Sequence, residues 1–146
     1  MRALIQRVSQ AAVRVDDKTI GQIKNGLLIF LGVTHTDDEQ ALHYVAEKCV
    51  HLRIFEDENG KMNRSLLDTA GQALVVSQFT LYGDTRKGRR PGFSQAAAPE
   101  KANALYEQFV AYLNELGIQT QTGKFGAHMH VEIQNDGPVT LMIENP

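Results

Sequence analysis

Two short stretches carry residue types that could do chemistry. The first is Ser77-Gln78-Phe79-Thr80, inside VVSQFTLYGD, Val75 to Asp84. In an extended strand side chains alternate, which puts Gln78 and Thr80 on one face and Ser77, Phe79 and Leu81 on the other. Ser77 and Thr80 can therefore converge on one ligand only if the strand ends, bulges or bends here, and the following Gly83-Asp84 favours an end. A hydroxyl nucleophile also needs a base. No histidine lies in this segment, and whether His35, His128 or His130 comes near in space is left open by spacing alone, so a serine-protease-type triad is not supported. A strand end offers a route without a base: backbone N–H groups released from the ladder can point at a developing oxyanion. Serine and threonine are also ordinary strand residues, and taken alone the stretch favours a structural role.

The second stretch is Asn135-Asp136-Gly137-Pro138-Val139-Thr140, between the strand-like HVEIQ and TLMIEN. A plain Asn-Gly turn would close a hairpin here, yet proline follows the glycine. An X-Pro bond is the one peptide that adopts cis at modest cost, roughly 0.5–1 kcal/mol, and proline removes a backbone donor. In the cis form two carbonyls can face the same side beside a residue with no side chain. A tight trans turn is the commoner outcome for such a pair.

Three further groups invite a chemical reading. TRKGRRPGF, Thr85 to Phe93, gathers Arg86, Lys87, Arg89 and Arg90 among glycines and a proline. Such a loop would attract phosphates, although a solvated loop balancing acidic surface elsewhere has the same composition. His128 and His130 share one strand face, too few ligands for a metal site. Phe125 and Met129 could make an apolar slot for a planar ring, or simply pack in the core.

The elements that must position these groups follow from periodicity. MRALIQRVSQAAVRV alternates as a strand, DDK turns it, TIGQIK follows, and Asn25-Gly26 reads as a two-residue hairpin into LLIFLGV. That continuous apolar run suits a strand covered on both faces and puts the sheet's centre near residues 27 to 33. Thr36 and Asp37 offer N-cap oxygens to a helix whose apolar side is Ala41, Leu42, Val45, Ala46, Cys49 and Leu52. Its His43, Glu47 and His51, four apart, are expected to form a solvated face rather than a metal site. RIFED, the Asn59-Gly60 turn and ALVVSQFTL return the chain to strand. A second helix runs from Pro99 through Leu105, Phe109, Leu113 and Leu116 to a stop at Gly117. Residues 118 to 145 read as more strand. The pattern predicts one α+β domain over 1–146, a largely antiparallel, barrel-like sheet with two main helices packed on one side.

Composition limits the function. The chain has 146 residues, 42% hydrophobic and 22% charged, enough for one ordinary core. A formal net charge of −2 supplies no global basic field, so any nucleic-acid contact must be local. Exposed aromatic platforms for base stacking are not evident in the strand pattern. The single cysteine, Cys49, excludes an intrachain disulfide and a multi-cysteine zinc site and suits a reducing compartment. Gln6 and Arg7 break the first apolar run, and no stretch approaches the roughly 18 apolar residues of a membrane span. A soluble cytoplasmic chain is expected.

Together the SQFT and NDGPVT motifs, ALIQRV at the start and RPGFS before the second helix resemble the D-aminoacyl-tRNA deacylase family over essentially the whole chain. The resemblance implies an esterase that cleaves the bond between a D-amino acid and the terminal adenosine of tRNA, with no metal or cofactor. It implies a homodimer in which a cis Gly137-Pro138 element enters the partner's site and rejects L-amino acids, with glycyl-tRNA as a secondary substrate. Arg7 matches the arginine that braces this element, and Phe125 and Met129 match positions lining the adenine pocket. For catalysis it implies either Thr80 as nucleophile or the ribose hydroxyl beside the ester, with the N–H groups of Phe79 and Thr80 as oxyanion hole. An aminoacyl ester is already activated, which favours the second. Gly92 replaces a residue often serine in the family, and the basic loop varies there. Two other classes are compatible with the residues: a non-catalytic module that holds the tRNA 3′ end, and a small-molecule esterase using Ser77 or Thr80 conventionally.

Overall fold

Asp16 and Asp17 make the first reversal. Both take positive φ, 50° and 62°, as a two-residue turn between right-twisted strands requires, and join β1 (Arg2–Val15) to β2 (Lys18–Ile23). The computed structural model describes residues 1–146.

Asn25-Gly26 is not a second hairpin. β3 (Gly26–Gly32) continues the course of β2, pairing antiparallel with the other half of β1: Ala11 faces Ile23 and Val8 faces Gly26. Glycine is required at 26 for close approach rather than for a turn, since a Cβ there would lie 1.8 Å from the Gln72 carbonyl oxygen. The sheet then runs parallel from β3 to β6 (Gln72–Ser77) and on to β7 (Thr120–Thr122). Each parallel step needs a long crossover, and each crossover carries a helix, α1 (Glu39–His51) and then α2 (Pro99–Glu115). A small hairpin, β4 (Phe55–Glu56) with β5 (Met62–Arg64), sits within the first crossover. The sheet is thus antiparallel around β1 and parallel beyond β3. It curls until β2 meets β7, where a Cβ at Gly21 would come within 2.5 Å of the Thr122 carbonyl, giving a nearly closed barrel.

Alternation divides the core in two. Leu27, Ile29, Leu31, Ala73 and Val75 face α1 and α2, packing with Val45, Cys49, Leu105 and Phe109. Leu28, Leu74 and Val76 point the other way and meet Val8, Val13 and Ile23 inside the barrel. β3 is covered on both faces, as its unbroken apolar run implies. Both helices lie on one side. The Cys49 thiol is completely buried, and that burial pushes its pKa up to about 12, so it is an inert core group.

One local expectation is corrected, and another gains detail. The N-cap of α1 is Asp38, which accepts from the Ala41 N–H at 3.0 Å. Asp37 instead turns inward and pairs with the Met1 ammonium at 2.5 Å, while accepting from the Thr34 N–H at 2.7 Å. His43 stacks on Tyr112 of α2 with ring centroids 4.2 Å apart, and Glu47 accepts from the Tyr112 hydroxyl at 2.6 Å. Glu47 and His51 are exposed on a solvated face, from which His43 and Glu47 also tie helix to helix.

The last strand, β8 (His130–Glu144), runs along the length of β1 from His130 opposite Arg14 to Glu144 opposite Arg2. Gly137-Pro138 is therefore not the turn of a hairpin. Asn135 pairs with Val8 and Thr140 with Gln6, so the residues between them leave the ladder as an excursion from one continuous strand. The Gly137-Pro138 peptide is cis.

Candidate functional site

β6 stops at Ser77, and a single 3₁₀ turn, Phe79–Tyr82, follows. This is the strand end that SQFT needs. Gln78 makes the transition, with its N–H donating to the Leu31 carbonyl at 2.8 Å and its carbonyl accepting from the Leu81 N–H at 3.2 Å. The N–H groups of Phe79 and Thr80 precede the first bond of this turn, so neither has a partner within it, and neither donates to a side chain. The first donors of any helical turn lack intrahelical partners, so the local fold leaves two adjacent donors free by construction.

Beside them lies a cleft of about 700 Å³, lined mainly by apolar side chains. Ser77, Gln78, Phe79, Phe125 and Met129 all reach it. Ala96 and Ala97, in the segment before α2, and Ala102 within it form one wall, and their small size is what leaves room. Phe125 leans on Tyr106 at 6.1 Å between centroids. Tyr106 in turn donates its hydroxyl to the Val75 carbonyl at 2.9 Å, and burial pushes its pKa up to about 12. Met129 is seated by the absence of a side chain at Gly123, where a Cβ would lie 2.7 Å from its sulfur.

Thr80 is exposed and does not line the cleft. Its hydroxyl accepts from the Gln78 amide, and an amide is no proton acceptor for a nucleophile. The Ser77 hydroxyl has no partner at all. His128 lines the cleft without bonding either hydroxyl, and His35 is bonded to the Ser94 carbonyl at 2.7 Å. The constellation of a base-assisted nucleophile is absent.

Gly137, Pro138 and Arg7 lie elsewhere. Arg7 is only 5% exposed; its Nη1 donates to the Ile54 carbonyl at 2.7 Å and its Nε to the Asp136 carbonyl at 3.0 Å. Asn135 closes the excursion from inside, donating to the Arg7 and Val139 carbonyls at 3.0 and 3.1 Å. Gly137 and Pro138, held between these clamps, are exposed. Arg7 and Asp136 line a different, polar cleft of about 620 Å³. One chain thus gathers Ser77, Gln78 and Phe79 with Phe125 and Met129, but not with the Gly-Pro element.

The basic loop is a hairpin closed by Asp84 and Gly92, which exchange N–H to carbonyl bonds at 2.7 and 2.9 Å. Arg86 is committed to the Asp84 carboxylate through Nε and Nη2, both at 2.8 Å, and these bonds hold that carboxyl well below the usual carboxylate range. Lys87, Arg89 and Arg90 stand exposed at the tip. Phe93, which follows the hairpin, lines the cleft beside Phe79. Neither Phe93 nor the alanine wall follows from the motifs; the RPGF and AAA runs are the trace they leave in the sequence.

The family model described as D-Tyr-tRNA(Tyr) deacylase matches residues 4–144. A D-aminoacyl-tRNA deacylase of Clostridioides difficile (strain 630) is 60% identical over 99% of this chain and 97% of its own length. One from Bacillus pumilus (strain SAFR-032) is 57% identical over 99% of both. Among solved structures, the c-Myc DNA Unwinding Element Binding Protein superposes with a TM-score of 0.94 at 40% identity, covering 100% of this chain and 99% of that one. A probable eukaryotic D-amino acid tRNA deacylase shares the fold, with a TM-score of 0.85 at 20% identity over 99% and 98% of the two chains. No helix is long and apolar enough to cross a membrane. An apolar cleft edged by free N–H donors, with full-length identity to curated relatives, makes the assignment firm: the chain belongs to the D-Tyr-tRNA(Tyr) deacylase family and is a hydrolase with D-aminoacyl-tRNA deacylase activity.

Proposed function

We propose that the cleft takes the terminal adenosine of D-aminoacyl-tRNA between Phe125 and Met129 and sets the ester carbonyl against the N–H groups of Phe79 and Thr80. Water adds to the carbonyl carbon, and the negative charge that develops on oxygen is held by those donors. The ribose hydroxyl beside the ester orients the water. The bond to the esterified ribose oxygen then breaks, that oxygen takes a proton, and the D-amino acid leaves as its carboxylate. The observation that carries this reading is the pair of unpartnered N–H groups next to a Thr80 hydroxyl that has no base. Its test is Thr80→Ala, which retains appreciable single-turnover deacylation if the backbone and the RNA do the work.

Chirality is read by Gly137 and Pro138 of a second copy in a homodimer. An L side chain would meet the Gly137 carbonyl, a D side chain points away, and glycine escapes the filter, making glycyl-tRNA a secondary substrate. The reading is supported by an excursion clamped by Arg7 and Asn135 yet separate from its own chain's cleft. Turnover of D- against L-tyrosyl-tRNA tests it, and D-tyrosine methyl ester separates it from a general esterase, which needs no nucleic acid. A module that only binds the 3′ end turns over none of these. The cytoplasm, where charged tRNA is used, suits a chain whose one cysteine is free.

The hairpin tip grips tRNA phosphates. Arg89→Ala and Arg90→Ala are each expected to flatten the salt dependence of tRNA binding by roughly one unit of log–log slope. Arg86→Ala is expected to change that slope much less, because its guanidinium is occupied by Asp84. Titration of binding from low to high salt reads both.

A further inference from the structure

Two aromatic rings from different elements meet in the open at the edge of the cleft. Phe79 is 53% and Phe93 37% exposed, and they stand edge to face with centroids 5.0 Å apart. Phe93 is held there by construction. It follows Gly92, half of the Asp84–Gly92 clasp, and Arg86 locks the Asp84 side of that clasp. Gly83 admits the ring, since a Cβ there would lie 3.1 Å from Phe93 Cε1. The same clasp closes the hairpin whose tip carries Lys87, Arg89 and Arg90. The surface therefore passes from an apolar cleft, to a fixed aromatic pair, to a cationic tip. That is the order of needs along an RNA 3′ strand: a terminal nucleoside, the next base, then phosphates. The expectation that this chain lacks an exposed stacking platform is corrected by the turn after β6, which swings Phe79 outward to meet Phe93.

We propose that Phe93, paired with Phe79, is the stacking surface for the base of the penultimate nucleotide of the substrate's 3′ strand. The inference rests on the cleft being the seat of the terminal nucleoside. Bases stack on exposed aromatic faces without regard to sequence, which suits an enzyme acting on tRNAs that share their 3′ ends. The adjoining cations favour RNA over an apolar protein partner as the occupant.

A chemical double-mutant cycle tests it. The substrates are a D-tyrosyl RNA minihelix with its natural penultimate base and one abasic at that position; the proteins are the full chain, Phe93→Leu and Phe93→Trp. Removing the base is expected to lower the wild-type kcat/KM about tenfold, within the range for one stacked base. Phe93→Leu is expected to lose a similar factor on the intact minihelix and nothing more on the abasic one, while Phe93→Trp stays near wild type. Thermal unfolding of Phe93→Leu, at an exposed position, should be unchanged. Losses that multiply, or an abasic substrate turned over as well as the intact one, would overturn the proposal. D-tyrosyl-adenosine reports on the cleft, which Phe93 also lines, and any loss by Phe93→Leu there is expected to stay well below its loss on the intact minihelix. An equal loss on both substrates would place the effect of Phe93 in the nucleoside site and also overturn the proposal. No turnover by either protein would count against the cleft assignment, with the minihelix cycle still deciding the stacking.

Discussion

Arg7→Ala is expected to lower folding stability by about 2–4 kcal/mol, since two carbonyls would each lose a charged donor, one of them in a buried bond. Those carbonyls belong to Ile54 and Asp136, so the lost bonds join β1 to both the segment before β4 and the Gly-Pro excursion. Urea unfolding should show a lower midpoint at unchanged slope. The excursion would lose its outer clamp and keep only Asn135. Turnover of L-tyrosyl-tRNA relative to the D form should then rise about tenfold, equivalent to ~1.4 kcal/mol of lost discrimination. Arg7→Lys should fall between, because a point charge cannot serve two carbonyls in the way a planar fork does. An unchanged midpoint for Arg7→Ala would show that the two bonds do no more than balance the burial of the guanidinium.

The larger kinetic effect is expected from a single backbone atom. Replacing the Thr80 amide by an ester, through incorporation of the α-hydroxy acid, deletes one N–H and keeps the side chain. Loss of one oxyanion donor lowers kcat by about 10²–10³-fold in other hydrolases, and a fall of that order is expected here with little change in KM. Thr80→Ala, which keeps the N–H and removes the hydroxyl, should cost less than about tenfold, the range of one neutral hydrogen bond. The two substitutions are complementary. The reverse pattern, with the ester active and Thr80→Ala inactive by single turnover, would restore Thr80 as the nucleophile.

The sequence was most legible where one local rule had no competitor. The apolar run Leu27 to Leu31 and the helix beginning at Pro99 were readable because burial on both faces and proline at a first turn each leave a one-dimensional trace. Asn25-Gly26 misled because glycine has two uses. The same residue that permits a tight turn also permits close approach, and here the Gln72 carbonyl, far away in sequence, claims the space a Cβ would fill. The hairpin reading of NDGPVT failed for a related reason. β1 is long enough to pair with the whole of β8, so the chain need not reverse at the glycine. The N-cap moved by one residue because the Met1 ammonium draws Asp37 inward, a competition no local window contains.

By itself the sequence determined the inventory: which residues could bear on an ester, that Ser77 and Thr80 needed a strand end to matter, and that the cations sat on one loop. Those are properties of side-chain chemistry and period-2 alternation, and they survive without coordinates. The tertiary structure alone decided which of them meet. It gathered Ser77, Gln78 and Phe79 with Phe125 and Met129, kept Gly137 and Pro138 apart from that cleft, tied Arg86 to Asp84, and set Phe93 against Phe79. Each outcome depends on contacts between residues distant in the chain, and the free energy of such contacts comes from packing and hydrogen bonding that no short stretch encodes.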